Sequence, residues 1–262
     1  MDMHLTGKTA VVTGASRGIG LAVTRALLAE GARVVAGARE ITPELEALAA
    51  QSEVLSVKVD LTSPDAPAEL IAAAASAYGG LDILVNNVGA VRPRVDGFLA
   101  VTDDDWAATL AVNFLAAVRT TRAALPHLLE RGAGAIVTIS SVNAFLPDPL
   151  VIDYSAAKAA LTNFCKSLSK QVGPQGVRVN TVSPGPVTTA LWLADDGVAA
   201  TVAQATGATA GNVAEQAASQ APTGRFTHPE EVADLVVFLS SDRAANITGS
   251  DFVIDGGLIT TL

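Results

Sequence analysis

The sequence predicts an α/β protein built on a doubly wound parallel sheet, with about seven strands and helices on both faces. Short apolar runs rich in β-branched residues alternate along the chain with longer alanine-rich stretches of helical periodicity. Strands that are apolar throughout and separated by helices are typical of a parallel sheet covered on both faces. Because crossovers between parallel strands are right-handed, such helices divide between the two faces.

The individual elements follow from the same pattern. The predicted strands are Thr9–Thr13, Arg33–Ala38, Val54–Val59, Ile83–Asn86, Ala135–Ile139, Arg178–Val182 and Phe252–Ile254. Helices are predicted to begin near Gly18, Pro43, Pro64, Asp104, Asp153 and Pro229. Thr102 and Asp105 have the spacing of a capping box at a helix start, and Gly173-Pro174 is typical of a helix end.

The length predicts a single domain over residues 1–262, because the chain is 50% hydrophobic and no linker divides it. Residues 188–220 are rich in Ala, Gly and Thr and exceed an ordinary connection in length, so they are predicted to form a substrate lid. Leu191, Trp192 and Leu193 lie at its head. Two interpretations stay open: these side chains close over a hydrophobic substrate, or they only dock the segment on the core.

Charge and cysteine content exclude several classes of partner. With 17 basic and 26 acidic residues the net charge is −9, which argues against a nucleic acid or an anionic membrane as main partner. A single cysteine, Cys165, and no signal-peptide pattern favour a cytoplasmic location. No apolar run reaches the length of a membrane span. His4, His127 and His228 show no metal-ligand spacing with Cys165, so no metal is predicted.

The segment after the first strand predicts a site for the pyrophosphate of a dinucleotide. Gly14 permits a tight turn, Gly18 lets the backbone approach the anion, and Gly20 lets the helix pack closely. The N–H groups and dipole at the start of the helix then attract the anion. Purely structural glycines are the alternative. The residues predicted to contact the cofactor here are Gly14, Ser16, Arg17, Gly18, Ile19 and Gly20.

The end of the second strand favours NADP(H) over NAD(H). A protein that binds NAD places a carboxylate there to hold the ribose 2′-hydroxyl, but this position is Ala38, followed by Arg39. Arg39 and Arg17 suit a 2′-phosphate, because a guanidinium can make two charge-assisted hydrogen bonds to it. Two alternatives remain: Arg39 is an ordinary surface charge, or a shift of two residues turns Glu40 inward.

Two further strand ends carry candidate cofactor contacts. Asp60-Leu61 follows the third strand, where a carboxylate can accept from the adenine amino group; a local helix cap is the alternative. Asn86 and Asn87 end the fourth strand, where their side chains can tie neighbouring strand ends together. The backbone of Gly89 is then expected to face the cofactor.

The fifth strand ends in Ser140-Ser141, and the next helix carries Tyr154 and Lys158 four residues apart on one face. Reduction of a carbonyl by hydride needs a proton donor at the oxygen, and alcohol oxidation needs the reverse. A phenol has an ordinary pKa of about 10, and a neighbouring ammonium lowers it toward the useful range. Alone, this Tyr–Lys spacing occurs by chance. Beside a nucleotide site it predicts Tyr154 as the acid/base of hydride transfer.

Taken together, these motifs resemble the short-chain dehydrogenase/reductase superfamily, in its single-domain Rossmann form, over nearly the full length. They occur in the family's order, with Val88 replacing the usual alanine after the Asn pair. The resemblance implies that Tyr154 is the acid/base, and that Lys158 holds the nicotinamide ribose and lowers the Tyr154 pKa. It implies Ser141 rather than Ser140 as the substrate-orienting hydroxyl, and Asn113 as the holder of a relay water. For Asn113 the alternative is a helix-interior side chain bonded to backbone.

The resemblance also assigns the segment after the sixth strand, which includes Pro184 and Gly185. It implies that the Val187 backbone and the Thr189 hydroxyl hold the nicotinamide carboxamide. It further implies a homotetramer or dimer built on the long helices after the fourth and fifth strands.

The predicted function is therefore NADP(H)-dependent hydride transfer between the nicotinamide and a ketone or secondary alcohol. A 3-oxoacyl thioester is one candidate substrate, and Arg92, Arg94 and Arg131 are candidate docking residues for an acidic acyl carrier. A free small or hydrophobic ketone is at least as well supported, because the basic residues are scattered. A non-catalytic protein that senses a dinucleotide on the same fold is the alternative.

Overall fold

All seven predicted strands pair in one fully parallel sheet in a computed structural model that describes residues 2–261. The strands are β1 (Thr9–Thr13), β2 (Arg33–Ala38), β3 (Val54–Lys58), β4 (Ile83–Asn86), β5 (Gly134–Ile139), β6 (Val177–Pro184) and β7 (Asp251–Ile254). Every strand prediction is confirmed to within two residues at each end. The largest difference is at β6, which runs on to Pro184 because it pairs with both β5 and β7.

The spatial order of the strands is β3-β2-β1-β4-β5-β6-β7. β1 pairs with β2 on one side and β4 on the other, so the direction of winding reverses between β1 and β4. In open α/β sheets ligands bind outside the carboxyl ends of the strands at such a switch point. The strand order alone therefore predicts a ligand site outside the carboxyl ends of β1 and β4.

Ten α-helices connect and cover the strands within the described residues. They are α1 (Gly18–Ala29), α2 (Pro43–Ala49), α3 (Ala66–Tyr78), α4 (Asp103–Leu110), α5 (Ala116–Glu130), α6 (Ile152–Val172), α7 (Ala190–Leu193), α8 (Val198–Thr206), α9 (Ala210–Ser219) and α10 (Pro229–Ser240). The capping box is confirmed: Thr102 Oγ1 accepts from the N–H of Asp105 at 3.2 Å, and the Asp105 carboxylate accepts from the N–H of Thr102 at 3.1 Å.

The stretch expected to be one long helix between β4 and β5 is interrupted. A π-helical turn, Ala111–Leu115, separates α4 from α5 and contains the buried Asn113. Such turns are frequent at functional sites, and the periodicity of the sequence does not reveal a single inserted residue.

Two apolar layers cover the sheet, which confirms the doubly wound fold. On one face α1 and α10 pack against the strands, with Leu27 and Val236 fully buried. On the other face α3, α5 and α6 do so, and Leu70, Leu128 and Leu161 are at most 1% exposed. Burial of such apolar side chains is the main favourable contribution to folding.

The segment at residues 188–220 consists mainly of three short helices, α7 to α9. Trp192 packs edge to face against Phe226, with ring centroids 5.1 Å apart. Its neighbours Leu191 and Leu193 are 42% and 47% exposed. The tryptophan thus docks the segment on the body of the protein, while the flanking leucines stay accessible. Across residues 2–261, no helix combines the length and the apolar character needed to cross a bilayer.

We expect Gly176→Ala to destabilise the fold without touching the candidate site. Gly176 has φ +83°, and a Cβ there would lie 2.1 Å from the carbonyl oxygen of Gly132. The free energy of unfolding, measured by urea denaturation, should fall by about 2 kcal/mol or more. Gly173→Ala is the matched control, because Gly173 has φ −55° and no atom within 4 Å of the added Cβ. Equal losses in both variants would contradict the packing described.

Candidate active site

The glycine turn after β1 is held in place by close packing that admits no side chain. Gly14 and Gly18 have φ values of +67° and +51°. A Cβ on Gly20 would lie 2.2 Å from the carbonyl oxygen of Gly14. The amide of Asn87 donates to the carbonyls of Thr13 (2.9 Å) and Gly14 (3.2 Å), so the end of β4 fixes the turn. The predicted tying role of the asparagines is thus observed.

The start of α1 has the features of an anion site. Arg17, the residue before the helix, is extended and its side chain caps no N–H group, and the first turn contains no acidic residue. The helix N–H groups and dipole are therefore directed at the turn. Ser16 is buried, and Ile19 packs against the core. A Cβ on Gly18 would lie 3.2 Å from Thr189, so the glycine turn faces the segment after β6.

The ends of β2 and β3 lie beside this turn. Arg39 is exposed, which fits both a residue that meets a 2′-phosphate and an ordinary surface charge, so its role stays a prediction. Glu40 is also exposed and forms an ion pair with Arg17, with 3.1 Å between Nη2 and Oε2.

At the end of β3, the hydrogen bonds from Thr62 hold the pKa of Asp60 below its usual range, and Arg39 lowers it further. These bonds occupy one oxygen of Asp60, while Leu61 beside it is buried, so contact of these two residues with adenine stays a prediction.

The π-helical turn is anchored to the loop after β4. Asn113 Oδ1 accepts from the N–H of Ala90 at 3.0 Å, and its Nδ2 donates to the carbonyl of Ala90 at 2.9 Å. A Cβ on Gly89 would lie 3.1 Å from Asn113 Oδ1 and 3.5 Å from Lys158 Nζ. The Asn113 side chain is thus bonded to backbone, which agrees with the alternative given for it above. Its role in holding a relay water stays a prediction.

Helix α6 brings Tyr154 and Lys158 to the end of β5. Lys158 Nζ donates to the carbonyl of Ile139 at 2.8 Å and lies 5.6 Å from the ring centre of Tyr154. Ser140 Oγ is 2.6 Å from Thr162 Oγ1 and is therefore engaged with the helix. Ser141 Oγ bonds with Asn143 in its own loop and also with the side chain of Tyr154, so Ser141 is the serine that lies beside the phenol.

Burial dominates the electrostatics of this group. It raises the pKa of Tyr154 above its ordinary value, and the interaction with Ser141 only partly opposes this. It also lowers the pKa of Lys158 to about 8. The pKa of Tyr154 is therefore shifted in the direction opposite to the prediction, because loss of hydration outweighs the hydrogen bond with Ser141.

The segment after β6 closes the other side of the cleft. Pro184 ends the strand, and Gly185 packs so tightly on Asp255 that a Cβ would lie 3.1 Å from its Cα. Val187 pairs with Thr227 as an isolated β-bridge. Thr189 Oγ1 donates to the carbonyl of Val187 at 3.4 Å. These contacts place the segment predicted to hold the carboxamide opposite the glycine turn.

A buried ion-pair network beneath the cleft was not predicted from the sequence. Arg94, 10% exposed, donates to Asp153 at 3.1 Å and to Asp105 at 2.9 Å. Thr109 also donates to Asp153. The network joins the loop after β4 to α4 and to the first turn of α6, directly before Tyr154. Its members are too far apart in sequence for their spacing to reveal it.

The prediction that three arginines could dock an acidic acyl carrier is wrong for two of them. Arg94 is enclosed in the ion pairs just described. Arg131 bonds with Asp82 at 3.2 Å, beside the amino ends of β4 and β5 and so at the opposite edge of the sheet. Only Arg92, 77% exposed, lies near the cleft and is accessible.

Exposed apolar side chains are concentrated in the segments that follow the carboxyl ends of three strands. Nine large hydrophobic side chains are exposed within residues 2–261, and eight of them lie in the segments that follow β4, β5 and β6. They are Val95, Phe98, Leu99, Phe145, Leu146, Leu150, Leu191 and Leu193. We call these eight side chains the apolar rim. Exposed apolar side chains grouped in these segments are candidates for a binding surface.

The parallel sheet, the glycine turn at its switch point and the Ser–Tyr–Lys group on the same edge define a dinucleotide-dependent oxidoreductase. A family model described as enoyl-(acyl carrier protein) reductase matches residues 14–259. The chain belongs to the short-chain dehydrogenase/reductase superfamily, whose members act on C=O and CH–OH groups with a nicotinamide cofactor.

Relatives with different substrates are about equally similar to the chain. The 3-oxoacyl-[acyl-carrier-protein] reductase of Thermotoga maritima is 34% identical over 98% of this chain and 100% of its own. The 3-alpha-(or 20-beta)-hydroxysteroid dehydrogenase of Mycobacterium tuberculosis is 34% identical over 100% and 93%. The crystal structure of L-sorbose reductase from Gluconobacter frateurii, complexed with NADPH and L-sorbose, has a TM-score of 0.92 at 35% identity and covers 100% of both chains.

We predict a pH-dependent stability difference between the wild type and Lys158→Met. The pKa of Lys158 is about 8 in the folded protein, against 10.5 ordinarily, so between these values the unfolded chain binds more protons. Wild-type stability should therefore rise with pH in this window relative to the variant, by up to about 1.4 kcal/mol per pH unit. Urea denaturation at several pH values measures it. Lys170→Met, an exposed lysine of the same helix, should show no such trend. A difference for Lys158→Met that does not change with pH would contradict the burial argument.

Proposed function

We propose that this protein is an NADP(H)-dependent reductase that transfers hydride between the nicotinamide and a free, apolar ketone or secondary alcohol. The observation that carries the proposal is the position of Ser141, Tyr154 and Lys158 at the carboxyl edge of the sheet, opposite the glycine turn. A dinucleotide that extends along this edge brings its nicotinamide to the phenol.

The residues at the edge fit such a cofactor. The uncapped start of α1 supplies N–H groups for the pyrophosphate. Gly89 leaves space beside Lys158 Nζ that a side chain would fill, and Lys158 is the residue we expect to hold the nicotinamide ribose. Val187 and Thr189 lie where the carboxamide is expected. The bound nicotinamide supplies or accepts the hydride; the chain supplies the proton and the geometry.

At the substrate, Ser141 donates a hydrogen bond to the carbonyl oxygen and orients it, while Tyr154 delivers a proton to that oxygen. Because burial raises the pKa of Tyr154, the phenol stays protonated near neutral pH. This state suits the reducing direction, in which a proton must be given. Lys158, with a pKa of about 8, keeps positive charge beside the phenol and stabilises the phenolate that forms.

NADP(H) is the favoured cofactor on two grounds. Ala38 leaves the end of β2 without a carboxylate, and Arg39 and Arg17 are exposed beside it. The similar L-sorbose reductase was crystallised with NADPH. Arginine forks match phosphate geometry, so both observations support binding of a 2′-phosphate.

The apolar rim favours a hydrophobic substrate over a sugar or a carrier-bound acyl chain. A polyol would leave these side chains in water, whereas an alkyl or ring substrate would cover them at about 25 cal/mol per Å² of apolar area. Docking of an acidic carrier needs a basic patch, and of the three candidate arginines only Arg92 is available. We therefore place the leucines of residues 188–220 over the substrate, as a lid.

The proposal extends to the oligomeric state and the cellular location of the protein. We infer a homo-oligomer, a dimer or tetramer built on α4 to α6, in the cytoplasm. The sensing alternative is disfavoured, because a protein that only binds a dinucleotide has no use for a phenol beside a buried ammonium.

Tyr154→Phe should abolish turnover while leaving NADPH binding intact. The variant removes only the proton donor, so NADPH oxidation followed by absorbance should fall at least about 100-fold with aliphatic and aromatic ketones. NADPH affinity, measured by fluorescence titration, should change less than about twofold, because one hydroxyl at most is lost from the cofactor site. Unchanged turnover would contradict the mechanism. Wild-type protein that binds NADPH but reduces no ketone would favour the sensing alternative.

Leu191→Ser and Leu193→Ser should each reduce kcat/KM for a long-chain ketone about fivefold more than for a short one. This estimate takes about 1 kcal/mol for the apolar contact that each leucine makes with the longer chain. Val253→Ser is the matched control: Val253 and Leu193 are each 47% exposed, but Val253 lies on β7, away from the lid. Equal effects on both ketones would argue against contact between the lid and the substrate.

A further inference from the structure

The start of helix α6 is tied to the loop after β4 at two points. The N–H of Arg94 donates to the carbonyl of Leu150, two residues before the helix, at 2.6 Å. The side chain of Arg94 donates from Nε to Asp153 Oδ2 at 3.1 Å. The Arg94 side chain is 10% exposed and that of Asp153 is 2% exposed. Because Tyr154 is the next residue along the chain, these bonds fix the backbone that carries the phenol.

A second branch of the same network leads to the π-helical turn. Thr109 Oγ1 donates to Asp153 Oδ2 at 2.7 Å, and the Thr109 carbonyl accepts from Asn113 Nδ2 at 3.1 Å. Thr109 therefore bonds to the start of α6 with its side chain and to the π-helical turn with its backbone. Since Asn113 also bonds to both backbone groups of Ala90, the turn, the loop and the helix form one hydrogen-bonded unit.

The Asp153 carboxylate stays ionised although it is buried. Burial alone would raise the pKa of Asp153, but the hydrogen bonds from Arg94 and Thr109 outweigh it and hold the pKa below its usual value. A buried ion pair often adds no net stability, because desolvation of the two charges offsets their attraction. Its directional bonds are therefore better explained by the geometry that they impose.

We propose that Arg94 and Asp153 are positioning residues that hold the phenol of Tyr154 and the amide of Asn113 in one fixed arrangement. The inference rests on the proposed function, since it assumes that Tyr154 protonates the substrate. Proton and hydride transfer need aligned groups, and a displacement of about 1 Å can cost about 100-fold in rate. The pair acts through the backbone of α6 and through Thr109, so its loss should lower kcat and leave NADPH binding intact.

The first test replaces the ion pair by two apolar side chains. Arg94→Met or Asp153→Leu alone leaves a buried charge unpaired and should move the urea midpoint to a lower concentration. The double variant should recover most of that loss, because Asp105, the other partner of Arg94, is 25% exposed and keeps its bonds to Thr102. Its kcat for ketone reduction should still be at least about tenfold below wild type, with the Kd of NADPH changed less than about twofold.

A milder test at Thr109 does not depend on a folded double variant. Thr109→Val keeps the shape of the side chain and removes the hydroxyl that bonds to Asp153, whereas Thr109→Ser keeps the hydroxyl. The valine variant should lower kcat about fivefold, and the serine variant should stay within about twofold of wild type. The KM for the ketone should change less than about twofold in both.

Arg131→Met is the matched control for the loss of an ion pair. Arg131 pairs with Asp82 at 3.2 Å at the opposite edge of the sheet, so its replacement should leave kcat within about twofold of wild type.

Wild-type kcat in the double variant or in Thr109→Val would overturn the inference. A matching loss of NADPH affinity, or an equal fall of kcat in Arg131→Met, would also overturn it, since either indicates general damage to the fold. If one of these results occurs while wild-type protein reduces ketones with NADPH, the proposed function stands and only the role of the pair falls. If wild-type protein binds NADPH but reduces no ketone, the proposed function itself falls.

Discussion

Parallel pairing places the carboxyl ends of β1 to β6 at one edge of the sheet, and the candidate site depends on that constraint. The edge is locked where β1 turns into α1, because the turn has no room for a Cβ at Gly20 and the Asn87 amide bonds across it. Lys158 crosses the same edge to reach the carbonyl of Ile139. A displaced turn would therefore move the cofactor site and the catalytic helix relative to each other.

Within this frame the chemistry rests on burial. A lysine and a tyrosine withdrawn from water are each driven toward their neutral forms, which for Tyr154 is the proton donor. The same burial costs stability, and one backbone hydrogen bond to Lys158 only partly offsets it. The Arg94–Asp153 network has the opposite character: its charges are paired, and they hold the first turn of α6 against α4. Lys158, whose burial costs stability, and Asp153, whose ion pair holds the helix in place, thus lie close together on α6.

The sequence predicted the strands, the glycine turn and the Tyr–Lys face because these depend on local periodicity and short spacings. It did not reveal the π-helical turn at Asn113, because a single inserted residue shifts the apolar pattern by only one position within a short segment. Nor did it reveal the partners of Arg94 and Arg17, since Arg94 and Asp153 are 59 positions apart and Arg17 and Glu40 are 23. The direction of the Tyr154 pKa was also missed: the spacing to Lys158 was correct, but depth of burial is a property of the folded chain.

The central claim is that this chain moves hydride to a carbonyl carbon while its own phenol protonates the oxygen. The most direct test mixes the protein with NADPH deuterated at the transferring carbon and an apolar ketone, and analyses the alcohol by mass spectrometry after a single turnover. The account predicts one deuterium at the carbinol carbon from wild-type protein. Tight binding of NADPH with no deuterated alcohol from any apolar ketone would contradict it.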